Sequence, residues 1–168
     1  MRTLIFTFGD WVLEIDLEST RKYTQHLLSE HCECGYCRNF YRVIESTYPG
    51  FRSFLNQFGA DAEAPVDFLP VEPTLCVVSY AVSGKVLNRG SQSVRVGNCA
   101  FTIEQMEQLD YELKCPKPYF VFTSQFLELP WILDEDMNEV VSPANEPECL
   151  ERMWKKLLLD APETSYKS

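Results

Sequence analysis

The chain has 168 residues, 45% of them hydrophobic and 24% charged, and its 15 Lys and Arg against 25 Asp and Glu give a formal net charge of −10. This is the composition of one globular domain, 1–168, long enough to bury a core without help from disulfides or a metal, and 13% aromatic residues argue against disorder. The acidic balance argues against nucleic acid or an anionic membrane as a partner, since both are held by clustered Lys and Arg.

In chain order, Leu4, Phe6 and Phe8 alternate, Gly9-Asp10 turns, and Val12 to Ile15 returns, which predicts an N-terminal β-hairpin. Asp16 suits a helix N-cap with Glu18 in the first turn, and the helix should run to about Leu28 with Tyr23, Leu27 and Leu28 facing inward. After a cysteine cluster, Tyr36, Phe40, Val43, Ile44 and Thr47 form one apolar stripe at helical spacing. Pro49-Gly50 breaks it. Phe51, Phe54, Leu55 and Phe58 repeat the spacing until Gly59, so residues 16–59 read as helical-rich. Three prolines and four acids make residues 60–73 a connecting loop.

Residues 74–133 read as sheet-rich. Cys76 to Val82 is a strand, Ser83-Gly84 a turn, and Lys85-Val86-Leu87 the start of the return. Ser93 to Val96 alternates, Thr102 to Gln105 has the form of a capping box with a short helix expected around 103–109, and Tyr119 to Thr123 continues as a strand towards Leu129. Pro130 ends that strand. Pro147 followed by Leu150, Met153, Trp154, Leu157 and Leu158 predicts a closing helix at about 146–159. The expected class is α+β: a hairpin, a helical block with a cysteine corner, a mainly antiparallel sheet and a C-terminal helix.

The apolar run at the N-terminus ends at Gly9-Asp10, too early for a secretory signal, and no stretch approaches the length of a membrane span. A cytoplasmic location and reduced thiols are therefore expected, with Cys76, Cys99, Cys115 and Cys149 acting as buried small hydrophobes.

Chemistry concentrates in His31-Cys32-Glu33-Cys34-Gly35-Tyr36-Cys37. Thiolates and imidazoles are the ligands zinc prefers, and Cys34-x2-Cys37 around Gly35 has the loop-then-helix spacing that points two sulfurs at one ion. Cys32 would be a third ligand and His31 the fourth, with His26 as the alternative fourth. A second half-site, another C-x2-C or an H-x3-H, is missing downstream. Two other readings fit the same residues. A C-x2-C opening a helix is also the layout of a redox dithiol, although a helix and not a strand precedes it. Small buried side chains also suit a sharp helix–helix corner.

The run Cys32-x-Cys34-x2-Cys37-Arg38-Asn39-Phe40 resembles a C-x-C-x2-C-[RQ]-N-[FY] motif of small bacterial proteins without an established function. The Tyr48-Pro49-Gly50 break, the Phe58-Gly59 stop and the late Pro130-Trp131-Ile132-Leu133-Asp134 segment are similar to the same family. The resemblance implies a bacterial cytoplasmic protein and nothing about catalysis.

No phosphate-binding glycine loop occurs, and Asp134-Glu135-Asp136 lacks the glycine of a calcium loop. The chain therefore reads as an interaction or binding module with a structural zinc at 31–37, the alternative being a metal- or thiol-dependent enzyme centred on Cys32, Cys34, Cys37 and His31. Residues 118–151 contain no Lys or Arg, so a basic protein is the partner expected to meet Asp134, Glu135 and Asp136, with Trp131 as an aromatic anchor.

Overall fold

The computed structural model describes residues 3–72 and 74–135. Strands β1 (Thr3–Phe8) and β2 (Trp11–Asp16) form the expected hairpin, turned at Gly9 with a φ of 58°. Trp11, Leu13 and Ile15 point into the core. Helix α1 (Leu17–Ser29) follows at once because Asp16 accepts the Ser19 backbone N–H at 3.0 Å.

Helix α2 (Gly35–Thr47) buries Phe40, Val43 and Ile44. Gly50, at a φ of 92°, then turns the chain into the short helix α3 (Phe51–Asn56). Gly50 has no side chain to cap that helix, and Glu45 does it instead, its carboxylate accepting from the N–H groups of Gly50 and Arg52 at 3.0 Å each.

The remaining strands are β3 (Asp67–Glu72), β4 (Leu75–Asn88), β5 (Val94–Val96), β6 (Cys99–Gln105), β7 (Tyr119–Ser124) and β8 (Leu127–Glu128). They complete an eight-stranded antiparallel sheet in the order β1-β2-β4-β7-β6-β5, with β3 and β8 pairing with the first part of β4. The fold is mixed α+β with a mainly antiparallel sheet.

Side chains alternate across this sheet and create two cores. On one face Val78, Tyr80 and Val82 of β4 join Phe120, Phe122, Phe101 and Leu13 beneath α2 and α3. Phe54 and Phe58 seal that layer, with ring centroids 5.1 Å from Phe101 and from Phe122 respectively. On the other face Ala81, Tyr119 and Val121 meet Tyr23 of α1 and Cys115.

Three expectations are corrected. Ser83-Gly84 is not a turn, for β4 passes straight through it for fourteen residues. Gly84 serves close approach instead, since a Cβ there would lie 2.0 Å from the Glu14 carbonyl oxygen across the β2–β4 pairing. The long strand is possible because one edge of β4 is shared: β3 pairs as far as Ser79, β2 pairs from Gly84, and Thr20 Oγ1 of α1 accepts the Ser83 N–H between them at 3.0 Å.

Residues 67–72, expected as loop, are strand β3, with Pro70 beside a register shift where the missing N–H is tolerated. The helix expected around 103–109 is a single 3-10 turn, Met106–Gln108, and Ile103 belongs to β6. Its capping box is Gln105 with Gln108, not one beginning at Thr102, because the buried alternation of Phe101 and Ile103 extends the strand to Gln105. The closing helix expected at about 146–159, with Cys149, lies outside the described residues.

Candidate metal centre

The cysteine loop crosses from α1 to α2 in five residues, and the first turn of α2 organises it. Cys34 takes an extended N-cap conformation, and its sulfur accepts the Cys37 backbone N–H at 3.4 Å. Three residues on, Cys37 comes round on the same side of the helix and is buried. Cys32 reaches in from the loop. The Sγ atoms of Cys32, Cys34 and Cys37 all lie within 4.8 Å of one another, a cluster that can hold a metal ion.

Two hydrogen bonds pin the loop from outside. Tyr41 Oη donates to the Cys32 carbonyl at 2.9 Å, and Arg38 Nε donates to the Glu33 carbonyl at 2.8 Å. Within the cluster the thiols are unequal. Cys34 is drawn down to about 6 by the Cys37 thiol hydrogen bond, aided by the Cys37 N–H and the Cys32 thiol and opposed by burial. Cys37 is pushed up, first by donating to Cys34 and then by burial, and Cys32 is pushed up by burial. Cys34 is thus the thiol of the three that loses its proton first, with the other two as its hydrogen-bond donors. Burial holds the Tyr41 hydroxyl protonated well above its ordinary range.

Neither histidine belongs to the converging set among the described residues. His31 stacks on Tyr41, with centroids 4.6 Å apart, and its Nε2 lies 3.5 Å from Glu63. Glu63 also accepts from Arg52, at 3.2 Å. His26 is on the exposed side of α1, 3.8 Å from Glu30. Cys76, Cys99 and Cys115 are buried in the cores and pushed up to about 12 by that burial, so they are packing residues.

Comparison with protein-family models, with curated proteins and with solved structures finds no match. What the site can do must come from its own geometry.

That geometry joins two stretches of sequence about ninety residues apart. Asn39, buried in α2, donates from Nδ2 to the Pro130 carbonyl and accepts the Ile132 N–H at Oδ1, both at 2.9 Å. Its amide reads the segment as a neighbouring strand would. Arg38 forms a two-pronged ion pair with Glu135, at 2.6 and 2.8 Å, which holds that carboxyl below its usual range. Trp131 packs edge-on against Tyr36, centroids 5.7 Å apart, while its indole N–H donates to the Glu135 carbonyl at 2.8 Å.

Of the residues expected to meet a partner, Trp131 and Glu135 are thus engaged within the chain, Asp134 is exposed, and Asp136 lies outside the described residues. Tyr36, Arg38 and Asn39 carry this junction, although the sequence placed Tyr36 only in the apolar stripe of a helix and Arg38 and Asn39 only in the cysteine motif. One signal was legible for Asn39: an amide beside Phe40, on the side of α2 that Tyr36 begins, requires a partner if buried. The described residues include no helix long and apolar enough to cross a membrane.

Proposed function

We propose that the protein is a small binding module whose 31–37 loop carries one zinc ion on the thiolates of Cys32, Cys34 and Cys37. The convergence of three sulfurs within 4.8 Å is the observation that carries this reading. With a Zn–S bond of about 2.3 Å, tetrahedral ligation places sulfurs about 3.8 Å apart, so side-chain rotations of about an ångström close the site. The ion would cross-link a loop that the Arg38 and Tyr41 hydrogen bonds pin from outside. A fourth ligand from His31 requires its ring to leave the Tyr41 stack, and His26 would have to cross from the exposed side of α1.

The partner class that fits is a basic protein, on account of the net charge of −10 and the absence of Lys and Arg from 118–151. With Trp131 and Glu135 engaged internally, Asp134 is the member of the expected docking group offered to it.

Elemental analysis of full-length protein, purified without a chelator and then offered zinc, tests the reading. About one zinc per chain is expected, with the Cys34 thiol becoming reactive on chelation. No bound zinc, and three thiols that react alike with and without chelator, would refute it. A second reading, thiol-dependent catalysis at Cys34, is favoured by the lowering of that thiol to about 6. Turnover of a thiol-reactive substrate by the metal-free chain, abolished by Cys34→Ser, would select it.

A further inference from the structure

We infer that the three-thiol site and the 130–135 segment form one switch, in which metal on Cys32, Cys34 and Cys37 clamps the segment to α2 and loss of metal releases it. The inference rests on the zinc reading and adds its regulatory consequence.

The coupling runs through a few consecutive residues. Cys34 caps α2 and Cys37 sits in its first turn, while Tyr36, Arg38 and Asn39, interleaved with them, make the ring contact, the ion pair and the amide hydrogen bonds to the segment. Arg38 is the direct link. Its Nε is fixed on the Glu33 carbonyl, inside the loop that carries two of the sulfurs, and its other nitrogens grip Glu135. An ion that ties Cys32 and Cys34 to Cys37 fixes the Glu33 carbonyl, and through it the guanidinium in the orientation that Glu135 needs. Without the ion the loop gains freedom, and holding Arg38 in register costs entropy each time the segment docks.

The segment is suited to leave. Ile132 is 51% exposed, Asp134 and Glu135 are exposed, and among the described residues Asn39 is the buried side chain that grips its backbone. Such an attachment opens locally while the sheet stays folded. Release uncovers the Trp131 ring and puts Glu135 beside Asp134 as free acidic groups. The switch therefore decides whether the acidic face is available to a basic partner.

Amide exchange on the full-length chain, with zinc alone as the probe, tests the switch. Zinc uptake is read first, then exchange at the Ile132 amide, which Asn39 accepts, against the Val121 amide in the sheet. Chelation is expected to speed Ile132 at least about 5-fold while Val121 is unchanged. Stoichiometric zinc uptake with Ile132 unmoved overturns the switch and leaves the zinc reading standing. Failure to take up zinc overturns both.

Should chelation unfold the sheet, the reciprocal measurement decides. Glu135→Gln must weaken zinc binding about 5-fold relative to Asp134→Asn, which removes the same charge one residue away from the clamp. Equal affinities in those two variants overturn the coupling.

Discussion

Asn39→Ala is the most direct probe of the junction. The native amide makes two hydrogen bonds at 2.9 Å, from a side chain almost wholly removed from water, to the Pro130 carbonyl and the Ile132 N–H. A neutral hydrogen bond contributes about 1 kcal/mol net, so losing both costs about 2 kcal/mol, and the cavity left is too small to add much. The cost falls on attachment of the 130–135 segment, because the sheet and the helix stripe do not use the amide. Exchange of the Ile132 amide should therefore accelerate about 30-fold, the factor equivalent to 2 kcal/mol, while Val121 in β7 keeps its protection. Asn39→Asp should be no better: it keeps the acceptor for Ile132 but places a charge against the Pro130 carbonyl. Hydrogen exchange followed by NMR reads both amides in one sample. An Ile132 rate within about 2-fold of wild type would show that the segment is held by something other than Asn39, and the account of the junction would be wrong.

Alkylation of the chelated protein should be selective for Cys34, because its folded value of about 6 leaves it about nine-tenths thiolate at pH 7. The rate should be flat above about pH 7 and fall tenfold per unit below about pH 6, as the thiolate is protonated. Cys76, Cys99 and Cys115, pushed up to about 12, should stay unmodified until the chain unfolds. Mass mapping after brief iodoacetamide treatment checks this, and equal labelling of Cys32 and Cys34 would contradict it. Gly84→Ala should cost about 3 kcal/mol or more in urea unfolding, since its Cβ would lie 2.0 Å from a strand carbonyl that cannot yield without separating β2 from β4; a change below about 1 kcal/mol would refute the close approach. Asp16→Ala should cost about 1 kcal/mol at pH 7 through loss of the α1 cap. The Ser19 N–H holds the Asp16 carboxyl below its ordinary value, so its contribution is present above about pH 4 and fades as pH falls through the lower folded value. The stability gap between variant and wild type should therefore close in acid, and a gap that widens there would reverse the sign.

Much of the local structure is legible in the sequence. Alternation in residues 4–15 and a cap at Asp16 specify the hairpin and the start of α1, because each depends on neighbours within a few residues. The stripe from Tyr36 to Thr47 and the repeat begun by Phe51, Phe54 and Leu55 determine two helices with aromatic undersides for the same reason, although the second ends at Asn56 and leaves Phe58 in the turn before Gly59. The placing of Cys32, Cys34 and Cys37 within a six-residue span determines that three thiols lie near a helix start, whatever they bind.

Tertiary structure decided the rest. Ser83-Gly84 has the composition of a turn, and only the arrival of β2 on β4 turns Gly84 into a point of close passage within one long strand. Thr102 to Gln105 has the composition of a capping box, and pairing with β7 overrides it. The fates of His31 and Trp131 were likewise outside the reach of spacing. His31 neighbours the thiols in sequence, but Tyr41 and Glu63 hold its ring, while Trp131 and Glu135 are drawn to Tyr36 and Arg38 across about a hundred residues of chain. Local sequence sets propensity and capping, which act over one or two turns. Which surfaces then meet is set by how eight strands share their edges, and that is a property of the whole chain.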